Sequence, residues 1–237
     1  MSIGAGLKLA REHALEEPVG RREAGKAERR RRIIRAAHDL IRETGETGLS
    51  MRALAARAGV SLATPYNLFG SKRAILLAVL DDIRDFLDRF SQLRSTDPVE
   101  RLFGGVDICV DIYIDDPAFY RTIWAALFDP SDDFRSQIFN SKRASFWIGL
   151  VQELVKAGVI SPDVNAKLLF GALDRSFSAA VLDWVTGDLT PAQLGPAIRY
   201  SYALILKGAA SPDWRGPLDQ RIQESQAAIL AGVADGG

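Results

Sequence analysis

At 237 residues, 47% hydrophobic and 25% charged, the chain is long enough for one large domain or a small one joined to a larger, with a true apolar core. A single cysteine, Cys109, excludes an intrachain disulfide, and its apolar neighbours Ile108, Val110 and Ile112 make it a buried filler rather than a redox or nucleophilic centre. No apolar run reaches the roughly 18 to 20 uncharged residues of a membrane span, and Lys8, Arg11, Glu12, Glu16 and Glu17 interrupt any signal-peptide core, so the expectation is a cytoplasmic protein.

The zero net charge conceals an asymmetry. Residues 1–75 carry 15 Lys and Arg against 8 Asp and Glu, a net +7, and residues 76–237 carry the compensating −7. A basic head on an acidic body fits a polyanion partner for the head alone.

In chain order, residues 1–25 mix charge with Gly4, Gly6, Pro18 and Gly20 without sustained periodicity and read as a flexible arm, with room for a brief helix near Leu7 to Leu15. Ile33, Ile34, Ala37, Leu40 and Ile41 recur at helical spacing and predict a helix over 26–44 that Gly45 stops. Ser50 caps a second helix over 51–58, which Gly59 ends. A third short helix follows Ser61. Pro65 falls within it, which predicts a late start with Leu62 or Ala63 as cap and Thr64 biased away from α geometry. The stripe Leu76, Val79, Leu80, Ile83, Phe86, Leu87 and Phe90 predicts one fourth helix over 71–92. Beyond it, a small polar residue followed by proline marks helix starts at Asp97, Asp116, Ser161 and Thr190, giving helices over 98–114, 117–127, 132–157, 162–186 and 191–209, and a last one over 217–231. No stretch alternates with the period of a strand, so the fold class is all-α.

Two short helices around Gly59-Val60-Ser61 form a helix-turn-helix pattern, whose second helix enters the DNA major groove. The run LSMRALAARAGVSLATPYNLFGSKRAILLAVL, Leu49 to Leu80, resembles the signature of the TetR family of transcriptional repressors, with Tyr66, Phe69 and Lys72 at that family's spacing. The resemblance implies a DNA-binding domain over 26–72 and a ligand-binding and dimerisation domain over 73–237, the protein acting as a homodimer. It further implies phosphate contacts from Tyr66 and Lys72, and a cap at Ser50 that also approaches phosphate. Arg52 can grip guanine or phosphate through its forked guanidinium, Asn67 can pair with adenine, Thr64 can bond a base edge, and Leu62 or Ala63 can meet a thymine methyl. The run Arg29 to Arg32 reads equally as phosphate neutralisation or as a solvated face. A two-fold dimer sets its reading helices about 34 Å or a multiple apart, so the operator is expected to be near-palindromic.

The body concentrates aromatic residues, and an apolar cavity among them is the default ligand site. Phe103, Tyr113, Phe119, Tyr120, Trp124, Phe128, Phe146, Trp147 and Phe177 are its candidate walls, with Asp107 and Asp111 as anchors. Asp107, Asp111 and Asp115 at four-residue spacing read as a solvated acidic face or as a site for a cation or partner arginine. Gly171, Ala172 and Ala179 on one helix, with Tyr200, Tyr202 and Leu204 on the next, suit close helix packing, which the family resemblance assigns to the dimer interface.

His13 and His38 are far apart and no His/Cys cluster suggests a metal or cofactor; no nucleophile elbow, phosphate loop or Glu-x-x-His pair suggests catalysis. The reading is a regulator, in the family manner a repressor that a small hydrophobic molecule releases from DNA. The alternatives are a helical-bundle enzyme or a carrier for a hydrophobic molecule.

Overall fold

The computed structural model describes residues 4–45, 49–82, 84–128 and 142–234, and divides into two compact units, 1–79 and 80–237. In the first, α1 (Gly4–Thr44), α2 (Met51–Ala58) and α3 (Ala63–Phe69) precede α4 (Lys72–Leu80), which ends at the division. Ile75, Leu76 and Val79 of α4 are buried, and the division falls between Val79 and Leu80, the last residue of α4. The helix expected over 26–44 begins instead at Gly4, taking in residues read as an arm. The stretch Leu7 to Glu17 is rich in strong helix formers, whose propensity offsets the intrahelical bond that Pro18 forfeits inside α1.

Helix α2 is closed at both ends. The Ser50 hydroxyl accepts from the Ala53 N–H at 3.3 Å. Gly59 adopts φ 61°, so that its N–H reaches the Ala56 carbonyl and the Val60 N–H the Ala55 carbonyl at 2.9 Å. This paired closure satisfies carbonyls that a helix end otherwise leaves unbonded.

Helix α3 starts late, as the proline requires. Leu62 precedes it, Ala63 and Thr64 are its first two residues, and Pro65 is third, where a missing N–H forfeits no intrahelical bond. Thr64, however, is helical. Its N–H donates to the Ser61 carbonyl at 2.9 Å and its hydroxyl meets the Ser61 hydroxyl at 2.8 Å, and these two bonds hold the geometry that the following proline disfavours.

In the second unit, α5 (Arg84–Ser91) is separate from α4, so the single helix expected over 71–92 is two. The break falls at Asp81 and Asp82, weak helix formers, and Asp82 is held by Arg84 Nε at 2.7 Å. Then come α6 (Pro98–Asp115), α7 (Pro117–Leu127), α8 (Lys142–Lys156), α9 (Ala166–Thr186), α10 (Pro191–Ala209), a short 3-10 turn (Pro212–Trp214) and α11 (Arg215–Ala234). Residues 132–141 of the helix expected over 132–157 lie outside the described residues. Helix α9 begins four residues later than the Ser161-Pro162 signal because Asn165 is the better cap, its Oδ1 accepting from Lys167 and Leu168 N–H groups at 3.0 and 3.1 Å.

Helix α6 packs on α5, α8 and α10, and α9 on α7, α8 and α10, while α11 lies along α10. Trp124, Trp184, Leu102, Ile123, Leu127, Leu154 and Leu173 fill the space between them. Each such side chain contributes about 1.5–3 kcal/mol by leaving water. One antiparallel bridge, Ile160 to Ala210, joins the segments after α8 and α10; Ser161 N–H donates to the Ala209 carbonyl at 3.0 Å and Ser211 N–H to that of Val159 at 2.9 Å.

Candidate functional site

Within α3 only Pro65 is buried. The proline is therefore the inward anchor of a seven-residue helix whose exposed face carries Ala63, Tyr66 and Asn67. Tyr66 is 50% exposed, Leu62, Ala63 and Asn67 are exposed, and Thr64 is half-buried with its hydroxyl engaged by Ser61. Arg52 is exposed on α2, and Lys72 stands half-buried at the first position of α4. Cap, reading helix and flanking cation thus occur in one compact unit.

The arginine run of α1 divides its labour. Arg32 Nη2 donates to the Ala58 and Gly59 carbonyls, the latter at 2.7 Å, so its charge sits at the carboxyl end of α2. Arg30 Nη1 donates to the Leu68 carbonyl at 2.9 Å and its guanidinium lies 4.1 Å from the centre of the Phe69 ring, doing the same for α3. Cations are favoured at helix carboxyl ends. Arg31 pairs with Glu28 instead. Arg30 and Arg32 nevertheless stay exposed, so capping the two helices is a use beyond the two sequence readings of this run. On the same unit Arg57 donates to both Glu43 oxygens, at 2.8 and 2.7 Å, and this holds the Glu43 carboxyl below its ordinary value.

In the second unit a cavity of about 50 Å³ lies among α5, α6, α7 and α8. Tyr113, Tyr120, Phe146 and Trp147 line it, as the sequence suggested; Leu80, Asp82, Asp85, Phe86, Cys109, Ile112 and Arg143 complete it. Burial pushes the Cys109 thiol up to about 12 and raises the Tyr113 hydroxyl, so both are neutral walls. Phe177 lines a second chamber of about 10 Å³ with Arg143, Trp147, Phe170, Asp174 and Tyr202.

The other candidate walls lie elsewhere. Phe119 and Trp124 are buried in the core, Phe128 stacks on Trp124 at 5.3 Å, and Phe103 sits beneath Arg221 at 4.7 Å beside a separate cleft. The acidic row is spent on surface pairs: Asp107 with Arg199 and Asp115 with Arg89 at 3.0 Å, while Asp111 is exposed. The residues missed were chiefly Phe86, read only as part of the fourth helix's apolar stripe, and Arg143. Arg143 stands one helical turn from Trp147, a spacing visible in the sequence.

Among the interface candidates, Ala179 and Leu204 are exposed and Ala172 and Tyr200 half-exposed. Gly171 and Tyr202 are buried against neighbouring helices of the same chain and cannot meet a partner surface; Tyr202 lines the smaller chamber. Leu168, 74% exposed, and Leu182 extend the line of Ala172 and Ala179 along α9, with the exposed Arg175 in its middle.

Among the described residues no helix is long and apolar enough to cross a membrane, and no group of three His, Cys, Asp or Glu is placed to hold a metal. The profile of bacterial regulatory proteins of the tetR family matches residues 33–79. An HTH-type transcriptional regulator of Mycobacterium bovis, itself uncharacterised, is 26% identical over 78% of this chain and 84% of its own. The HTH-type transcriptional repressor KstR2 of Mycolicibacterium smegmatis is 27% identical over 71% and 86%. In fold, the chain is similar to Thermus thermophilus FadR, a TetR-family repressor solved with lauroyl-CoA: TM-score 0.59, 22% identity, 77% of this chain and 97% of that one covered. The match begins at Ile33 of α1 and ends at Val79 of α4, the span that builds and closes the helix-turn-helix, and this segment is a DNA-binding domain of the tetR family of bacterial regulatory proteins.

Proposed function

We propose that the protein is a homodimeric cytoplasmic repressor that holds a near-palindromic operator and leaves it when a small apolar molecule occupies the α5–α8 cavity. The observation that carries the DNA reading is α3, a seven-residue helix buried only at Pro65 and open along Ala63, Tyr66 and Asn67. Tyr66 and Lys72 hold backbone phosphates, Ser50 caps α2 beside the duplex, and Arg52, Leu62, Ala63, Thr64 and Asn67 are the base-facing set. FadR, with lauroyl-CoA bound, supports a ligand-responsive body, and KstR2, a repressor, supports the sign of regulation.

At about 50 Å³ the cavity is far below the roughly 300–1,000 Å³ of ordinary ligand sites, so an effector must part the helices around it. That opening is the differential interaction by which a ligand can shift the population away from the DNA-binding state, with a coupling of about 1–3 kcal/mol. Ala172, Ala179, Tyr200 and Leu204, with Leu168 and Leu182, form the dimer surface.

Selection of duplexes from a random pool, followed by titration of Tyr66→Ala and Lys72→Ala variants on the selected site, tests the reading. Each variant is expected to weaken binding by about tenfold or more without changing the preferred sequence. Unchanged binding in both would overturn the assignment.

A further inference from the structure

Arg143 is a buried charge with an incomplete partner. Its side chain is 9% exposed, and its guanidinium lies 3.9 Å from Asp174 Oδ1 on α9, whose own side chain is 11% exposed. Its Nε has no hydrogen-bond partner among the described residues. Arginine keeps its charge in any protein setting, and a buried charge costs stability unless hydrogen bonds of good geometry replace its water. A contact at the outer limit of ion pairing and the face of the Trp124 ring at 5.9 Å do not replace it. Asp174 is itself a reluctant counterion, since burial raises its carboxyl above the ordinary value.

The position of this cation gives it a use. Arg143 and Trp147 line both the larger chamber, with Tyr113, Tyr120 and Phe146, and the smaller one, with Asp174 and Phe177. The two side chains are thus a partition between aromatic chambers, and Arg143 is the one cation among the described lining residues of either. Two acids share the larger chamber, but each faces an arginine: Asp82 Oδ1 accepts from Arg84 at 2.7 Å and Asp85 lies 3.2 Å from Arg89. Their charge disfavours an anion at that end, which leaves Arg143 as the end where an anion fits.

We propose that Arg143 anchors the effector and that the effector is an apolar monocarboxylate, aromatic or acyl. Its carboxylate takes Nε and one terminal nitrogen of Arg143 as a bidentate pair and displaces Asp174, while its ring or chain packs on Trp147, Tyr113 and Phe146. This rests on the ligand-released repression proposed above and adds the ligand's charge and its anchoring atom.

The test uses the full chain, with benzoate, phenylacetate and octanoate titrated against benzamide, phenylacetamide and octanamide by calorimetry and thermal shift. At least one acid is expected to bind, with its amide about tenfold weaker or worse. Arg143→Gln should weaken the acid by about tenfold or more and leave the amide unchanged, and Arg143→Lys should retain part of the affinity. Should Arg143→Gln not fold, Asp174→Asn carries the test by removing the competing carboxylate: the acid should bind several-fold tighter and the amide as before.

Equal binding of acids and amides, no binding of any acid, or acid affinity indifferent to these substitutions would overturn the anchor. Adding the same compounds to the protein bound to its selected operator separates the two proposals. Release by the amides as readily as by the acids would remove the anion and keep ligand-released repression. Acids bound through Arg143 without release would keep the anchor and remove the release.

Discussion

Arg32 and Gly59 meet at the turn of the helix-turn-helix, and each constrains the other. A Cβ on Gly59 would stand 2.5 Å from Arg32 Nη2, and the residue's φ is +61°. The arginine end is flexible and can yield; the backbone conformation cannot, so Gly59→Ala is expected to destabilise the chain by about 1–2 kcal/mol in urea unfolding. Arg32→Ala should cost about 1 kcal/mol, through the carbonyls of Ala58 and Gly59 left without their donor, and should reduce DNA binding through the shape of the turn rather than through lost charge. Arg29→Ala is the control, since a purely electrostatic role would make the two variants alike on DNA. The need for glycine at the turn was legible from sequence, because an Ala-Gly-Val-Ser run after a short helix has few other uses. The role of Arg32 was not, because a run of four arginines carries no sign of which one points at a carbonyl 26 residues away.

At the scale of elements, the helix caps were the most legible features, and the cap-and-proline signature failed at one place. Asp97 with Pro98 and Thr190 with Gln193 start α6 and α10 as expected, Asp97 Oδ1 accepting from Val99 and Glu100 N–H groups and Gln193 Oε1 from the Thr190 N–H. Ser161-Pro162 bears the same signature yet starts no helix; the Ser161 carbonyl closes a turn with the Val164 N–H, and the helix waits for Asn165. Asn165→Ala should therefore cost about 1 kcal/mol in chemical denaturation, and Ser161→Ala distinctly less. The cavity shows the same limit. Helical spacing brought Tyr113, Tyr120, Phe146 and Trp147 forward, but it marks every inward position alike. It does not distinguish a residue facing a void from one facing a neighbour, as with Trp124 and Phe119, which fill the core.

For the whole molecule, charge and oligomeric state govern behaviour. The first unit, residues 1–79, carries net +7 and the second −7, so attraction to the duplex comes from the head. Operator affinity should fall linearly in log–log form with salt, the slope growing by about 0.9 for each phosphate neutralised, and Lys72→Ala should reduce it by about one. A slope near zero in an anisotropy titration would remove the phosphate contacts. Ala179→Arg and Leu204→Glu each add a bulky charge to the exposed faces of α9, which already carries Arg175, and α10. They are expected to convert a dimer to a monomer in sedimentation and to weaken operator binding, while leaving the thermal transition of an already monomeric chain unmoved. Which small and aromatic residues face outward was only partly legible: Gly171 and Ala172 are adjacent and equally small, and only the packing of α9 against α8 and α10 decides that the first is inside.

The narrow bridge between Ile160 and Ala210 gives α8 a fixed foot. The helix is 15 residues long, about 22 Å, with the bridge just past its carboxyl end and Arg143 near the opposite one. A lever held at one end moves most at the other. A tilt of about 5° would displace Arg143 by about 2 Å while residues beside the bridge stay in place. Distance measurements between spin labels should then widen near Arg143 on effector binding and hold constant near Lys156. The residue pair that ties these two loops together thereby decides which end of the helix can respond.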